Sequence, residues 1–311
     1  MTREGPLWFA GSGKFAARCL TALADELTFS RVVTALPKPA GRGLAERGTP
    51  VDGTAEELGI PVFRTGDINS DEAILGSFRE EKPFCFFVVD FSQIIGEPFL
   101  SMPEPGCLNI HPSLLPAYRG AAPIQRAIMN GERETGVTVF RLVGEVDAGP
   151  VLLSSRVEVG EEDTLGDLAE ALAVEGGRIA VEGLELFRKG RISFKEQQHE
   201  NATFAPRVTR QETGVRWEKP SQEVHNLVRS LNPCPGSHFY LRGIRTKLWR
   251  TRVRPGEGAP GEVIGFMDGF PLVACDEGSV ELMEVQAEGR RRTDGAGWSR
   301  GRTLKKGDML N

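Results

Sequence analysis

Paired cysteines are missing from this sequence. Its five cysteines are scattered singly, and none belongs to a CxxC pair. An odd and dispersed set supports neither a disulfide framework nor a zinc site, and it is typical of proteins in a reducing compartment. We therefore expect a cytoplasmic protein that binds no metal.

Long apolar segments are missing as well. The longest purely apolar run near the N-terminus covers only residues 6–11 and is preceded by Glu4. This run is far shorter than the core of a signal peptide or a membrane-spanning helix. The sequence therefore predicts no membrane partner, and none of its motifs indicates an obligate protein partner.

The acidic net charge of −5 conceals two parts of opposite sign. Residues 207–311 hold 18 lysines and arginines against 13 aspartates and glutamates, whereas the preceding residues hold 20 against 30. A basic second part suits contact with a polyanion, although an incidental scatter of surface charge gives the same count. A chain of 311 residues also suits two domains.

The first two hundred residues alternate between short apolar runs and helical patterns. This alternation predicts a mostly parallel, Rossmann-like α/β sheet with helices on both faces. The predicted strands are residues 7–10, 32–36, 62–63, 84–89, 107–110, 137–142 and 151–159. The predicted helices are residues 14–26, 54–58, 71–79 and 122–130, followed by a long helix that starts with the capping pattern Thr164-x-x-Asp167.

The last hundred residues have a different pattern. After one predicted helix, residues 222–231, closely spaced strands with turn signals predict a small, OB-like β-barrel. These strands are residues 238–241, 246–253, 261–266, 271–274 and 279–285. We therefore predict a catalytic domain over residues 1–189, a polar linker over 190–210 and a C-terminal β-barrel domain over 211–311.

Asn109 and His111 form the first candidate site. Residues i and i+2 of a strand project from the same face, and these two lie where the strand 107–110 ends. An amide and an imidazolium that donate to one point form an oxyanion hole, which attack on a carbonyl requires. A histidine that only satisfies local hydrogen bonds is the alternative interpretation.

An acid is expected to orient this histidine. Glu145 and Asp147 both follow the strand 137–142 within a glycine-flanked turn, and spacing alone does not choose between them. A solvated turn acid is the alternative. The glycine turn Gly11-Ser12-Gly13 favours anion or substrate contact over a dinucleotide, because Ala16 replaces the third glycine of the dinucleotide fingerprint.

Several motifs together resemble the folate-dependent formyltransferase superfamily. They are Asn109-x-His111, Ser113-Leu114-Leu115-Pro116, Tyr118-Arg119-Gly120, Asp147-Ala148-Gly149, PAGRG at 39–43, AAPIQR at 121–126, ATFAP at 202–206 and NPCPG at 232–236. The AAPIQR string and the additional C-terminal domain are similar to the members of this superfamily that act on tRNA. The resemblance runs nearly from end to end.

The resemblance implies a reaction. The formyl donor is expected to be 10-formyltetrahydrofolate, and the acceptor is the α-amino group of methionine on initiator tRNA, for translation initiation. Asn109, His111 and Asp147 match the catalytic positions of the family, with Asp147 rather than Glu145 as the acid. A related enzyme that formylates a nucleotide-sugar amine has the same three residues and is the alternative.

The resemblance also assigns binding residues. Ser113, Leu114, Leu115 and Pro116 match the tetrahydrofolate-binding segment, and the segment 90–95, with Phe91, Gln93 and Ile94, matches the wall of the pterin pocket. The sequence of this segment, Asp90-Phe91-Ser92-Gln93-Ile94-Ile95, departs from the usual family pattern. Affinity for the folate donor is the property that this departure is expected to affect. For tRNA contact we expect Lys38, Arg42 and Arg47 in the PAGRG loop, with Arg245, Lys247 and Arg250 on the basic barrel.

Overall fold

A seven-stranded sheet organises the N-terminal part of the protein. The computed structural model describes residues 5–40, 45–191 and 193–311. The strands of the first two hundred residues are β1 (Leu7–Gly11), β2 (Arg31–Ala35), β3 (Lys38–Ala40), β4 (Ala45–Arg47), β5 (Val62–Thr65), β6 (Cys85–Val89), β7 (Cys107–His111), β8 (Glu134–Arg141) and β9 (Val151–Glu158). The strand order in the large sheet is β5-β2-β1-β6-β7-β8-β9, and β3 pairs with β4 as a separate hairpin.

The large sheet is mostly parallel, as predicted. The five neighbouring strands β5, β2, β1, β6 and β7 run parallel to one another. In contrast, β8 pairs antiparallel with both β7 and β9. The chain moves from β1 outward to β2 and β5, and then returns to β6 on the other side of β1. This reversal creates a crevice at the carboxyl ends of β1 and β6, which is where open α/β sheets bind ligands.

Helices connect these strands. They are α1 (Lys14–Ala24), α2 (Pro50–Glu57), α3 (Glu72–Glu81), α4 (Pro123–Met129) and α5 (Leu165–Arg188). The predicted capping box of α5 is present, because Asp167 Oδ2 accepts from the Thr164 amide at 3.0 Å and Thr164 Oγ1 accepts from the Asp167 amide at 3.3 Å. Side-chain caps also start α2 at Thr49 and α3 at Asp71.

Aromatic side chains fill both faces of the sheet. Trp8 and Phe86 contact Phe78 of α3 on one face, with ring centroids 5.1 and 5.5 Å away. The next residue along β1, Phe9, points to the opposite face and packs edge-to-face against Phe29. Gly176 lets α5 lie directly on this sheet, because a Cβ there would come within 2.7 Å of Ile110 Cγ2. Both faces are therefore covered.

The C-terminal part forms a second, smaller β structure. Its elements are α6 (Ser221–Ser230), β10 (Ser237–Leu241), β11 (Ile244–Arg254), β12 (Val263–Met267), β13 (Phe270–Ala274), β14 (Ser279–Ala287), β15 (Thr293–Asp294) and α7 (Gly295–Gly301). The strand order is β10-β11-β14-β13-β12, with β15 beside β14, and every pair is antiparallel.

The last residues of the chain close this sheet into the predicted barrel. Asn311 exchanges two backbone hydrogen bonds with Tyr240 of the edge strand β10. On the other edge, the Val263 amide of β12 donates to Asp308 O and the Leu310 amide donates to Gly261 O, both at 2.8 Å. The segment therefore pairs with both open edges, which removes the exposed hydrogen-bonding groups that an open sheet presents.

The two compact units do not divide the chain at one point. The first contains the chain up to Gly120 together with Glu134–Glu158 and Ala169–Phe204. The second contains Ala121–Arg133, Val159–Leu168 and Ala205–Asn311, so that α4 belongs to it. The predicted boundaries 1–189, 190–210 and 211–311 stay a prediction about independently folding domains.

Candidate active site

Three neighbouring parallel strands end beside one another at the crevice. They are β1, β6 and β7, and their last residues lead into Ser12, Asp90 and the loop after His111. The Ser12 and Gly13 amides donate to the carbonyl of Asp90 at 3.1 and 3.2 Å, which joins the first two loops. The side-chain hydroxyl of Ser12 is buried and has no hydrogen-bond partner among the described residues.

Asn109 and His111 lie on β7, opposite Phe140 and Thr138 of β8. Their i, i+2 spacing places both side chains on one face of the sheet, as predicted. The ring of His111 is buried, and its Nε2 lies 3.0 Å from the carbonyl of Tyr118. Because a carbonyl only accepts, Nε2 carries the hydrogen in this contact. The half-buried side chain of Asn109 makes no hydrogen bond with another described residue, so its amide remains available to a ligand.

Glu145 and Asp147, which residue spacing alone did not separate as candidate acids, have different surroundings in the structure. Asp147 Oδ2 lies 3.6 Å from His111 Nδ1, and the side chain of Asp147 is only 13% exposed. The side chain of Glu145 is 72% exposed, and its Oε1 lies 3.7 Å from a guanidinium nitrogen of Arg119. Asp147, not Glu145, therefore shares a site with His111.

Two residues that sequence reasoning did not select also support this site. The guanidinium of Arg119 and the side-chain amide of Gln197 are both buried and hydrogen-bond to each other at 2.7 Å. Arg119 belongs to the quoted Tyr-Arg-Gly motif, but Gln197 lies in a polar stretch with no motif. Only the tertiary contact across 78 residues identifies it.

The residues expected to bind folate divide into two groups. Phe91 packs partly buried against the core, whereas Ile94 is 86% exposed at the crevice end of the sheet. Gln93 is already engaged, because its Oε1 accepts from the Ile68 amide at 2.7 Å and its Nε2 donates to Thr65 O at 3.0 Å. Phe91 and Ile94 both follow β6, the neighbour of β7 in the sheet.

The second segment that is expected to bind folate follows His111. The Ser113 hydroxyl is fully buried and donates to Ala117 O at 2.6 Å. Thr138 Oγ1 donates to Ser113 O and accepts from the Leu115 amide, which fixes the loop on β8. Leu114, Leu115 and Pro116 are each half-buried and therefore present apolar surface beside His111.

The first group expected to contact tRNA lies on the hairpin of β3 and β4. Lys38 is paired directly with Arg47 across this hairpin, and both side chains are exposed. Arg42, which the resemblance also assigned to tRNA contact, lies outside the described residues. The sequence pattern did not predict the two short strands, because three-residue strands carry too few side chains to show a period.

The second group lies on the antiparallel sheet of the C-terminal unit. Lys247 lies 4.9 Å above the Trp249 ring and donates to Pro235 O, and Arg292 stacks 3.6 Å above the same ring. Arg250 is exposed beside a cavity of about 520 Å³ whose lining includes Arg292. Arg245 is half-buried opposite Tyr240.

Among residues 5–40, 45–191 and 193–311, no cluster of three metal-ligating side chains occurs. None of the helices described is long and apolar enough to cross a membrane. Burial raises the pKa of the Cys85 and Cys107 thiols, so neither is present as a reactive thiolate.

The fold and the site define a class of protein. The family model for formyl transferase matches residues 7–184, and the model for the formyl transferase C-terminal domain matches residues 207–303. The chain is 40% identical over 296 residues to methionyl-tRNA formyltransferase of Paracoccus denitrificans, covering 95% of this chain and 97% of the relative. It is 38% identical over 306 residues to the enzyme of the same name from Cereibacter sphaeroides, covering 97% of each. The chain therefore belongs to the methionyl-tRNA formyltransferase family.

A solved structure agrees on the fold. The N-formyltransferase of Helicobacter canadensis, in complex with folinic acid and dTDP-3-aminofucose, superimposes with a TM-score of 0.65 at 18% identity. The match covers 91% of this chain and the whole of that chain. The resemblance inferred from the motifs is thus confirmed at the level of family and fold.

Proposed function

We propose that this protein transfers the formyl group of 10-formyltetrahydrofolate to the α-amino group of methionine on initiator tRNA, in the cytoplasm. The observation that carries the proposal is the convergence of Asn109, His111 and Asp147 at the end of β7. The chain has this arrangement while matching named methionyl-tRNA formyltransferases over nearly its whole length.

The chemistry requires stabilisation of negative charge on the formyl oxygen. As the acceptor amine adds to the formyl carbon, the Asn109 amide donates to that oxygen, and the Nε2–H of His111 exchanges its contact with the Tyr118 carbonyl for a hydrogen bond to the same oxygen. Preorganised donors of this kind contribute about 3 kcal/mol each to lowering the barrier. Asp147 holds the ring of His111 and accepts the proton that the amine must lose. The carbon–nitrogen bond to the folate then breaks, and the folate nitrogen takes up a proton.

The residues of the crevice fit a folate donor. 10-Formyltetrahydrofolate supplies a formyl group already activated on nitrogen. The unpartnered Ser12 hydroxyl and the exposed side chain of Ile94 offer one polar and one apolar contact to a heterocycle. Phe91, Leu114, Leu115 and Pro116 extend the apolar wall. We assign Gln93 and Ser113 to shaping this wall, because their polar atoms are already hydrogen-bonded within the chain.

Phosphate contact is proposed for the two basic surfaces. Lys38 and Arg47 present adjacent cations on the β3–β4 hairpin, and Arg42 belongs to the same loop in sequence. Arg245, Lys247 and Arg250 lie on β11, where cations track a nucleic-acid backbone without reading its sequence. These assignments account for the positive charge of the C-terminal part.

One experiment tests the proposed function. The protein is incubated with 10-formyltetrahydrofolate labelled in the formyl group and with methionyl initiator tRNA, and the label on the amino acid is measured. We expect transfer that requires the charged tRNA. Transfer to a nucleotide-sugar amine but not to tRNA would contradict the proposal.

A matched variant separates an enzyme from an RNA-binding module. His111→Ala is expected to abolish transfer while tRNA affinity, measured by filter binding, stays near that of the wild type. Unchanged transfer by this variant would exclude the assigned site.

A further inference from the structure

Gln197 lies in a polar segment that the sequence pattern presents as a linker, yet its side chain is only 7% exposed. Its Nε2 donates to two backbone carbonyls, Asp147 O at 2.9 Å and Gly149 O at 2.7 Å. Its Oε1 accepts from Arg119 Nε at 3.3 Å and from a terminal guanidinium nitrogen at 2.7 Å. One side chain thus connects the turn that carries Asp147 with the loop that follows His111.

The backbone of Asp147 needs such support. Its φ of +52° lies in the left-handed region, which a residue with a Cβ adopts only when its surroundings impose it. The Gly120 amide fixes the carboxylate at 2.8 Å, but this bond leaves the peptide planes of the turn free. The two bonds from Gln197 constrain the Asp147–Ala148 and Gly149–Pro150 peptides, and so hold the main chain that aims the carboxylate.

Strand β8 also contacts this turn. A Cβ at Gly149 would come within 1.8 Å of the Arg141 carbonyl, so the turn lies flush against the strand there. The turn is therefore clamped by Arg141 and by Gln197. Removing Gln197 takes away two of the hydrogen bonds that hold the turn around the left-handed residue, and leaves the longer bond of 3.4 Å from the Ala148 amide to Glu145 O.

Only a side-chain amide at position 197 can both accept a hydrogen bond from Arg119 and donate to the two backbone carbonyls. The guanidinium of Arg119 requires an acceptor, which fixes Oε1 toward Arg119 and leaves Nε2 facing the two carbonyls. Arg119 itself is held by His199 Nδ1 at 3.1 Å and by backbone pairing of its amide with Thr203 O. The orientation of the Gln197 amide is therefore determined by the residues around it.

We propose that Gln197 is a positioning residue that keeps Asp147 directed at His111 by holding the backbone of residues 147–149. The proposal rests on the role given to Asp147 under the proposed function. It predicts that the segment around Gln197 affects turnover without contacting either substrate.

The test uses the full chain and two matched variants. Gln197→Glu has nearly the same shape and keeps an acceptor for Arg119, but it replaces the two donors with an oxygen that repels the carbonyls. Gln198→Glu makes the same charge change at the exposed neighbouring residue and serves as the control. We expect Gln197→Glu to lower kcat at least tenfold with KM for tRNA within about twofold, and Gln198→Glu to change neither.

A second readout does not depend on turnover. The ring ¹⁵N chemical shifts of His111, assigned by their loss in His111→Asn, are compared at one pH in the wild type and both variants. We expect them to change in Gln197→Glu and not in Gln198→Glu, because Asp147 has moved away from the ring. If the glutamate variant fails to fold, Gln197→Asn retains the amide but cannot span the distance, and the same change is expected.

The outcomes separate this inference from the proposed function. Unchanged ring shifts in the folded Gln197 variant would overturn the positioning role, whatever happens to kcat. A wild-type protein that transfers no formyl group to tRNA would contradict the proposed function, while the ring shifts would still test the clamp.

Discussion

Asp147 Oδ2 lies 3.6 Å from His111 Nδ1 and accepts a hydrogen bond of 2.8 Å from the Gly120 amide. The first distance exceeds that of a hydrogen bond, whereas the second fixes the carboxylate in place. The Gly120 amide therefore sets the direction in which the carboxylate faces the His111 ring.

The first prediction concerns this carboxylate. Asp147→Asn keeps the size of the side chain but removes its charge and its capacity to accept the amine proton. We expect kcat to fall by about 10²–10⁴-fold, the usual contribution of a positioned acid or base. Single-turnover formyl transfer with saturating tRNA measures the effect. The exposed Glu145 is the matched control, and a larger loss for Glu145→Gln than for Asp147→Asn would reverse our assignment.

The second prediction concerns the amide of Asn109. Its side chain makes no hydrogen bond within the described chain, so Asn109→Ala should leave the free energy of unfolding within about 0.5 kcal/mol of the wild type. The same change removes one donor to the formyl oxygen, and we expect kcat to fall by about 10²–10³-fold. Urea unfolding and steady-state kinetics measure the two effects. Loss of stability together with normal turnover of the folded protein would show a structural residue instead.

The third prediction concerns the closure of the barrel by the C-terminal residues. Leu310 is 1% exposed within the core of the C-terminal unit, whereas the adjacent Met309 is 46% exposed. Leu310→Ala is expected to lower the free energy of unfolding by about 2–5 kcal/mol, because it leaves a cavity. Met309→Ala should change it by less than about 0.5 kcal/mol. Denaturant unfolding followed by tryptophan fluorescence compares the two, and equal effects would contradict the closure.

The fourth prediction concerns pH. Burial lowers the pKa of His225, which hydrogen-bonds to Thr251 Oγ1 at 2.9 Å and to Glu161 O at 3.1 Å. A histidine whose pKa is lower in the folded state is protonated first in the unfolded chain, so folding loses stability as pH falls below about 6.5. The free energy of unfolding should therefore decline between pH 7.5 and 5.5, and His225→Gln should reduce that slope. A slope unaffected by the substitution would assign the effect to other groups.

The fifth prediction concerns the basic surfaces. Arg47→Ala and Arg250→Ala are each expected to weaken tRNA binding and to reduce the slope of log Kd against log salt by about 1. The kcat at saturating tRNA should stay unchanged, because both side chains are assigned to phosphate contact and not to the formyl transfer step. Arg178, whose guanidinium is paired with Glu175 and Glu182 on α5, is the control, and Arg178→Ala should leave the slope as it is. If the slope of log Kd against log salt were the same for all three variants, neither basic surface would contact tRNA.

Local patterns were sufficient to predict most of the longer elements of the fold. Apolar runs of strand length and helical periodicity gave β1, β7 and α5 within a few residues, because those signals reside in neighbouring side chains. The same reasoning gave the i, i+2 pair Asn109 and His111, since alternation along a strand is a local property. The short hairpin of β3 and β4 and the helix α7 were missed, because each is too short to establish a period.

The arrangement around Asp147 was decided only by the tertiary structure. Spacing left Glu145 and Asp147 equal, because both follow the same strand in a turn whose direction depends on contacts from elsewhere in the chain. Those contacts come from Gly120 and Gln197, which are 27 and 50 residues away. The closure of the barrel likewise needs Asn311 to meet Tyr240. The sequence by itself predicted which residues would carry the chemistry of a formyltransferase, and long-range hydrogen bonds determined how those residues are held, because no local pattern encodes a partner that the chain reaches only after folding.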